Sequence, residues 1–292
     1  MMRSEYCTVL GHEIHYTTWG ERRDDDDGWV VVCCHGLLRT CRDFDVIGEK
    51  LSAAGYFVIC PDMIGRGLSQ WSDRPQEDYL VPRYAAIVAG LLDTLNVRRV
   101  KWIGTSMGGI IGYFAAADPQ GRDSITHLVL NDIGPTVNQE ALTRIQSYGT
   151  VPTRELTFVA LEERMKKNYA AFGITDPQQM RALVEHSLRR LPDGAWSTHY
   201  DIRVMQALMV GNGSGVPDVD TWAVFAQSTC PVLVLRGECS DLLSPETVAK
   251  MESVRPRTTS VVIPNVGHAP ALMDNDQIRI VMQFLSHHAH SP

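Results

Sequence analysis

The chain reads as an α/β fold, a mostly parallel sheet covered by helices on both faces, and three observations predict it. Short apolar runs of strand length alternate with amphipathic helical stretches through the first third. A G-x-S-x-G motif falls where one of those strands hands over to a helix. A helix-rich stretch with a different pattern then interrupts the alternation before strand character returns.

In chain order, residues 9–18 hold short alternating strand segments, and residues 24–28 form an acidic turn read as a solvated loop rather than a calcium site. Residues 29–34 are a continuous apolar run of the kind a strand covered on both faces carries. Residues 43–54 read as a helix, 56–60 as a strand, 84–95 as an amphipathic helix and 100–103 as another strand. Past Ser106, residues 108–117 are helical and 125–130 return to strand. From Pro135 the pattern changes. Residues 155–172 and 177–190 read as helices, the second opened by Asp176 as N-cap, with Pro177 at its first position and Gln179 completing a capping-box pattern. Its apolar Met180, Leu183, Val184 and Leu188 recur at helical spacing. A Gly-rich loop at 211–217 and a helical piece near Trp222 end this stretch. Strands follow at 231–235 and 260–263, then a helix over 277–285 and a polar tail. His287, His288 and His290 belong to that tail and are read as solvated, not as a metal site. The expected division is a core of residues 1–134 and 229–292 with a helical lid inserted over 135–228.

Composition narrows the function classes. A chain of 292 residues, 44% hydrophobic and 21% charged, suits one elaborated globular domain, and no apolar run is long enough to span a bilayer. The formal charge of -7 argues against a nucleic-acid partner, which needs a basic face to neutralise phosphates. The first ten residues lack the apolar stretch behind basic residues that a secretory signal needs, so the cytoplasm is the expected compartment. Seven cysteines are an odd number, and Cys33, Cys34 and Cys60 lie inside apolar strands, where a free thiol behaves as a small hydrophobe. Neighbouring Cys33 and Cys34 point to opposite faces of a strand and are not read as a redox pair.

The chemistry concentrates in four places. In Gly104-Thr105-Ser106-Met107-Gly108-Gly109 the turn is so tight that positions two before and two after the serine must be glycine, which exposes Ser106 at the head of a helix. His35-Gly36-Leu37 follows the strongest strand; there the N–H of Leu37, with that of Met107, is positioned to receive an oxyanion, and His35 is read as a loop brace. A serine near neutral pH needs a base, and His268, in a loop between a strand and the last helix, fits that role and the chain order nucleophile, acid, histidine. For the acid, Asp241 after the strand at 231–235 is preferred, Asp132 after the strand at 125–130 is an alternative that could instead brace the lid hinge, and Glu238 is a third option. Asp62, in Pro61-Asp62-Met63-Ile64-Gly65-Arg66-Gly67, is read as structural.

Taken together, His35-Gly36, Pro61-Asp62 with Gly65-Arg66-Gly67, Gly104 to Gly109, Asp241 and Gly267-His268 resemble the α/β-hydrolase superfamily over nearly the whole chain. That resemblance implies a serine hydrolase without metal or cofactor. Ser106 at the elbow, where epoxide hydrolases and haloalkane dehalogenases carry aspartate, argues against those branches. The meta-cleavage C–C hydrolases share Ser-Met-Gly-Gly but often carry Asn before the serine and Trp after the histidine, where this chain has Thr105 and Ala269. Ester or lactone hydrolysis is therefore the leading reading, C–C hydrolysis the runner-up and a non-catalytic ligand receptor a third. The chain is also similar to bacterial carboxylesterases of the kind that include macrolide esterases. The lid is rich in apolar and aromatic residues, among them Trp196, Tyr200, Met205 and Trp222 as candidate pocket walls, so a moderately bulky, largely apolar substrate is expected.

Overall fold

The computed structural model of the chain describes residues 1–23, 29–118, 124–209 and 220–287, with the side chains of 208 and 209 left aside. The acidic turn at 24–28, the Gly-rich loop at 211–217, His288 and His290 lie outside the described residues. Among the described residues ten strands run in chain order as β1 (Met2–Val9), β2 (His12–Trp19), β3 (Val30–Cys34), β4 (Phe57–Pro61), β5 (Val100–Thr105) and β6 (Ile125–Asn131), then β7 (Leu188–Arg190), β8 (Trp196–Thr198), β9 (Val232–Gly237) and β10 (Thr258–Ile263). Eight of them form one sheet in the order β1-β2-β4-β3-β5-β6-β9-β10. The β1–β2 and β2–β4 pairings are antiparallel, and every pairing from β4 through β10 is parallel.

The helices are α1 (Asp45–Ala53), α2 (Pro75–Asp78), α3 (Val81–Thr94), α4 (Met107–Ala117), α5 (Gln139–Gly149), α6 (Phe158–Asn168), α7 (Pro177–His186), α8 (Arg203–Met209), α9 (Trp222–Phe225), α10 (Pro245–Val254) and α11 (Asn275–Ser286). The alternation of a strand sorts its side chains between two cores. Val30, Val32 and Cys34 of β3 join the cluster built on α3 and α4, while Val31 and Cys33 face the cluster built on α1 and α11. Cys33 and Cys34 thus lie on opposite faces, each fully buried, and all seven cysteines are free. No helix among the described residues is long and apolar enough to cross a membrane.

Helices α5 to α9 and the hairpin β7–β8 fill the interval between β6 and β9. They carry a third apolar cluster of their own around Leu161, Met165, Tyr169, Leu183, Val184 and Leu188. Two sequence expectations change here. The helix expected over 177–190 stops at His186, and Leu188 enters the hairpin opposite Thr198, so its apolar side is buried by strand pairing instead of helical spacing. Asp176 does cap α7 through the N–H groups of Gln178 and Gln179; the Gln179 side chain, however, donates to the Met273 carbonyl rather than closing a capping box. Strand β1 extends to Met2, beyond the expected start, because an edge strand exposed on much of its length needs no apolar run.

The candidate active site

Strand β5 ends at Thr105 and α4 begins at Met107, so Ser106 alone makes the turn. It does so with φ 51° and ψ −118°, a strained region for a side chain larger than glycine's. The glycine spacing follows from contact: a Cβ on Gly104 would lie 2.3 Å from the Gly108 carbonyl oxygen, and one on Gly108 would lie 2.0 Å from the Cys34 carbonyl oxygen. Neither strand nor helix can retreat, since both are buried. The Ser106 N–H donates to the Asn131 carbonyl at 3.0 Å, which ties the turn to the end of β6.

His268 lies in the loop between β10 and α11, and its ring joins two groups. Nδ1 is 2.8 Å from Asp132 Oδ2 and Nε2 is 3.0 Å from Ser106 Oγ. A carboxylate can only accept, so Nδ1 carries the proton and Nε2 is left with a lone pair facing the serine hydroxyl. Asp132 is fully buried and sits in the left-handed region at φ 56°. Its Oδ1 accepts the Gly237 N–H at 2.9 Å and its Oδ2 also accepts the Ser240 hydroxyl at 2.6 Å. Burial of this charge is thus matched by directed donors on both oxygens.

The preference for Asp241 is corrected by this geometry. Asp241 is 47% exposed at its side chain and forms a two-bond ion pair with Arg144 of α5, at 2.7 and 2.9 Å. It turns outward because Ser240, one residue earlier, turns inward to Asp132. Glu238 is exposed and accepts the Asn265 N–H at 2.9 Å. Sequence reasoning missed two contributors. Ser240 is one. The other is Asn131, whose side-chain amide donates to Thr105 Oγ1 at 3.0 Å and to the Pro270 carbonyl at 2.8 Å, so one residue links the serine turn to the histidine loop.

The loop after β3 faces the serine: a Cβ on Gly36 would lie 3.7 Å from Ser106 Cβ. The Gly36 carbonyl accepts His35 Nδ1–H at 2.7 Å and the Arg39 N–H at 3.2 Å. Across a trans peptide the N–H points opposite to the carbonyl, so these bonds fix the direction of the Leu37 N–H. His35 Nε2 in turn accepts the Met63 N–H at 3.0 Å. With a donor role on one nitrogen and an acceptor role on the other, the ring is held neutral, and its complete burial pushes its pKa down. His35 is therefore a brace. Arg66, fully buried, is a second brace that the sequence reading left inside a motif: Nε donates to the Leu37 carbonyl at 2.9 Å and Nη2 lies 3.5 Å from Met107 Sδ.

A similar triplet elsewhere shows what geometry adds. Ser4 Oγ is 2.8 Å from His15 Nε2, and His15 Nδ1 is 2.7 Å from Asp62 Oδ2. Ser4 sits mid-strand opposite Thr17, with its backbone committed to the β1–β2 ladder, so no helix N-terminus or turn aims N–H groups at it. His15, Cys41 and Asp62 also place ligand-type atoms within 4.8 Å of one another. Asp62 accepts the N–H groups of Cys41 at 2.7 Å and Leu68 at 3.0 Å, which is the work of a loop clamp.

Of the four candidate pocket walls, Tyr200 lines a cavity between the loop after β3 and helices α5 and α6, and Met205 packs beside Leu38 over Gly149. Trp196 instead packs edge-on against Phe158 of α6, ring centres 5.2 Å apart. Trp222 bonds Thr136 Oγ1 at 2.7 Å and carries Lys250 over its ring, so it braces the return of the chain to the core. Arg39, Tyr169 and Phe172 occupy the wall that those tryptophans were expected to form.

Comparison with known proteins shows the family of the fold. The family model described as the alpha/beta hydrolase fold matches residues 30–274. A 3-hydroxybutyrate-oligomer hydrolase of Cupriavidus necator is 38% identical over 280 residues, which is 94% of this chain and 93% of that protein. A 2-(acetamidomethylene)succinate hydrolase of Mesorhizobium japonicum is 27% identical over 252 residues, 84% of each chain. Among solved structures, an alpha/beta hydrolase from Novosphingobium aromaticivorans superposes with a TM-score of 0.83 at 30% identity, covering 97% of this chain and 98% of its own.

Proposed function

The chain belongs to the α/β-hydrolase fold family, and for this member we propose a serine-dependent hydrolase of carboxylic esters that works through an acyl-enzyme. The observation that carries the reading is the single imidazole of His268 held between Ser106 at 3.0 Å and Asp132 at 2.8 Å. In that arrangement Nε2 takes the Ser106 proton as the serine oxygen adds to the ester carbonyl, and Asp132 stabilises the imidazolium. The N–H groups of Leu37 and Met107 receive the negative oxygen, the second with the help of the α4 dipole. The imidazolium then protonates the leaving alkoxide, the acyl group stays on Ser106, and a water deprotonated by His268 releases the acid. Each donor of this kind is worth about 3 kcal/mol of transition-state stabilisation.

The substrate reading is a short oligoester of a hydroxy acid. It is supported by the 3-hydroxybutyrate-oligomer hydrolase that matches this chain nearly end to end, and by a cavity whose wall mixes arginine, asparagine, tyrosine and threonine with apolar residues. That wall favours a more polar acyl chain than the composition of the lid suggested, and it moves a large apolar lactone down the order. Purified chain assayed on 3-hydroxybutyrate trimer and on p-nitrophenyl butyrate tests the reading. Ser106→Ala is expected to lose about six orders of magnitude in turnover while keeping the wild-type melting temperature. A folded Ser106→Ala protein with wild-type rates, or a wild-type protein that cleaves neither ester, overturns it.

A further inference from the structure

Arg39 stands two residues beyond Leu37 and is 8% exposed. Asp43 holds one edge of its guanidinium, accepting from Nε at 2.8 Å and from Nη2 at 2.7 Å. The ring of Tyr169 covers one face, with its centre 4.3 Å from the guanidinium carbon. The remaining nitrogen, Nη1, is buried and has no hydrogen-bond partner among the described residues. An unmade bond of this kind is costly unless something fills it in the working state of the protein.

What fills it is indicated by the surroundings. Arg39 lines two adjoining cavities: one reaches Thr105 and Ala269, the neighbours of Ser106 and His268, and the other runs under the lid past Arg164 and Asn168. Its stem lies within reach of the reacting centre, since a Cβ on Gly36 would sit 3.4 Å from Arg39 Cγ and 3.7 Å from Ser106 Cβ. Among the described residues Arg164 has a 4.0 Å ion pair with Glu155. Both guanidiniums have an acidic partner, but the lining of the cavity that reaches Arg164 and Asn168 includes Arg39 and Arg164 and neither Asp43 nor Glu155, so the charges that face it are the two arginines.

Resting on the ester-hydrolase reading above, we propose that Arg39 and Arg164 form a carboxylate subsite, and that the preferred substrate is an oligoester whose acid end is a free carboxylate. Asp43 fixes the plane of Arg39, leaving the Nη1 edge to donate to one carboxylate oxygen, and Arg164 meets the other from the lid side. A neutral ester of the same length offers only a carbonyl there and forfeits the charge-assisted bonds.

The test is binding to full-length Ser106→Ala by titration calorimetry, using the linear 3-hydroxybutyrate dimer and its methyl ester. The free acid is expected to bind at least about tenfold more tightly, the range of a charge-assisted hydrogen bond. In Ser106→Ala/Arg39→Gln that preference is expected to vanish, and in Ser106→Ala/Arg164→Gln to shrink by about half on a logarithmic scale. Equal affinity of acid and methyl ester in Ser106→Ala overturns the subsite, as does an undiminished preference in a folded Arg39→Gln background. Should Arg39→Gln not fold, Arg39→Lys, which keeps the charge and loses the fork, carries the same expectation of a reduced preference. Because binding is read without turnover, absence of esterase activity in the wild type removes the functional reading, whereas loss of the acid preference removes only the subsite.

Discussion

Nδ1 of His268 and Oδ2 of Asp132, 136 residues apart in the chain, lie 2.8 Å apart. Asp132 reaches this position because β6 lies directly between the serine strand β5 and β9, and because its positive φ of 56° turns the side chain across the end of β9. The first prediction compares the two aspartates. Asp132→Asn is expected to lower kcat by about four orders of magnitude, since an amide favours the wrong imidazole tautomer. Asp241→Asn is expected to change kcat by less than about threefold, because an exposed ion pair contributes little. Steady-state kinetics on one ester decides, and the reverse ranking removes Asp132 from the mechanism.

Ser240 donates to the same carboxylate oxygen that meets the histidine, at 2.6 Å. Removing it with Ser240→Ala is expected to cost about 1.5–3 kcal/mol of transition-state stabilisation, roughly 10- to 100-fold in kcat/KM. Combined with Asp132→Asn the effect should largely disappear, as two residues of one network are not additive. Full additivity in that double-mutant cycle would mean Ser240 acts elsewhere.

Arg66 grips the Leu37 carbonyl at 2.9 Å and touches Met107 Sδ, so it holds both residues whose N–H groups are proposed as the oxyanion donors. Arg66→Lys keeps the charge but cannot make both contacts. We expect kcat to fall by about 10- to 100-fold with KM changed far less, part of the value of one misaimed donor. A change confined to KM would place Arg66 in substrate binding instead.

Gly108 faces the Cys34 carbonyl oxygen, which an added Cβ would approach to 2.0 Å. Gly108→Ala is therefore expected to destabilise the fold by about 3 kcal/mol or more, because α4 and β3 are both packed in place. Thermal unfolding of the variant, or its loss from the soluble fraction, provides the measurement. A wild-type melting temperature would show that the helix can move away from the strand.

Burial, and then the charge of Lys101, push the His127 imidazole down to about 4. In the unfolded chain an imidazole titrates near about 6.5, so between these values the unfolded state binds the extra proton and the folded state resists it. Stability is complete above about pH 6.5 and drains as pH falls toward 4; buried His35 is shifted in the same direction. Melting temperature scanned from pH 8 to 4 is expected to fall across that window, and His127→Gln to fall less steeply. A melting temperature that rises on acidification contradicts the sign.

Ser106 and His268 were legible in the sequence for a local reason. The Gly104-to-Gly108 spacing is a steric requirement of one turn, and a strand before it with a helix after it leaves one conformation for the serine. The buried strands β3 and β4 were legible on the same footing, through unbroken apolar runs, and β5 and β6 through short apolar stretches interrupted by Lys101 and by Thr126 and His127. His268 followed from its place between the last strand and the last helix. The acid was not legible, because residues 131–132 and 238–241 both follow strands that end at the same edge of the sheet, and composition cannot distinguish a carboxylate that turns in from one that turns out. Strand order, the φ of Asp132 and the hydroxyl of Ser240 made that choice, and Arg144 took up the carboxylate left outside. The pocket wall was hidden for a related reason. Aromatic content marks surfaces that will be buried, but only packing decides whether a ring such as Trp196 is spent on its neighbour Phe158 or, as with Tyr169, is stacked on Arg39 beside the serine.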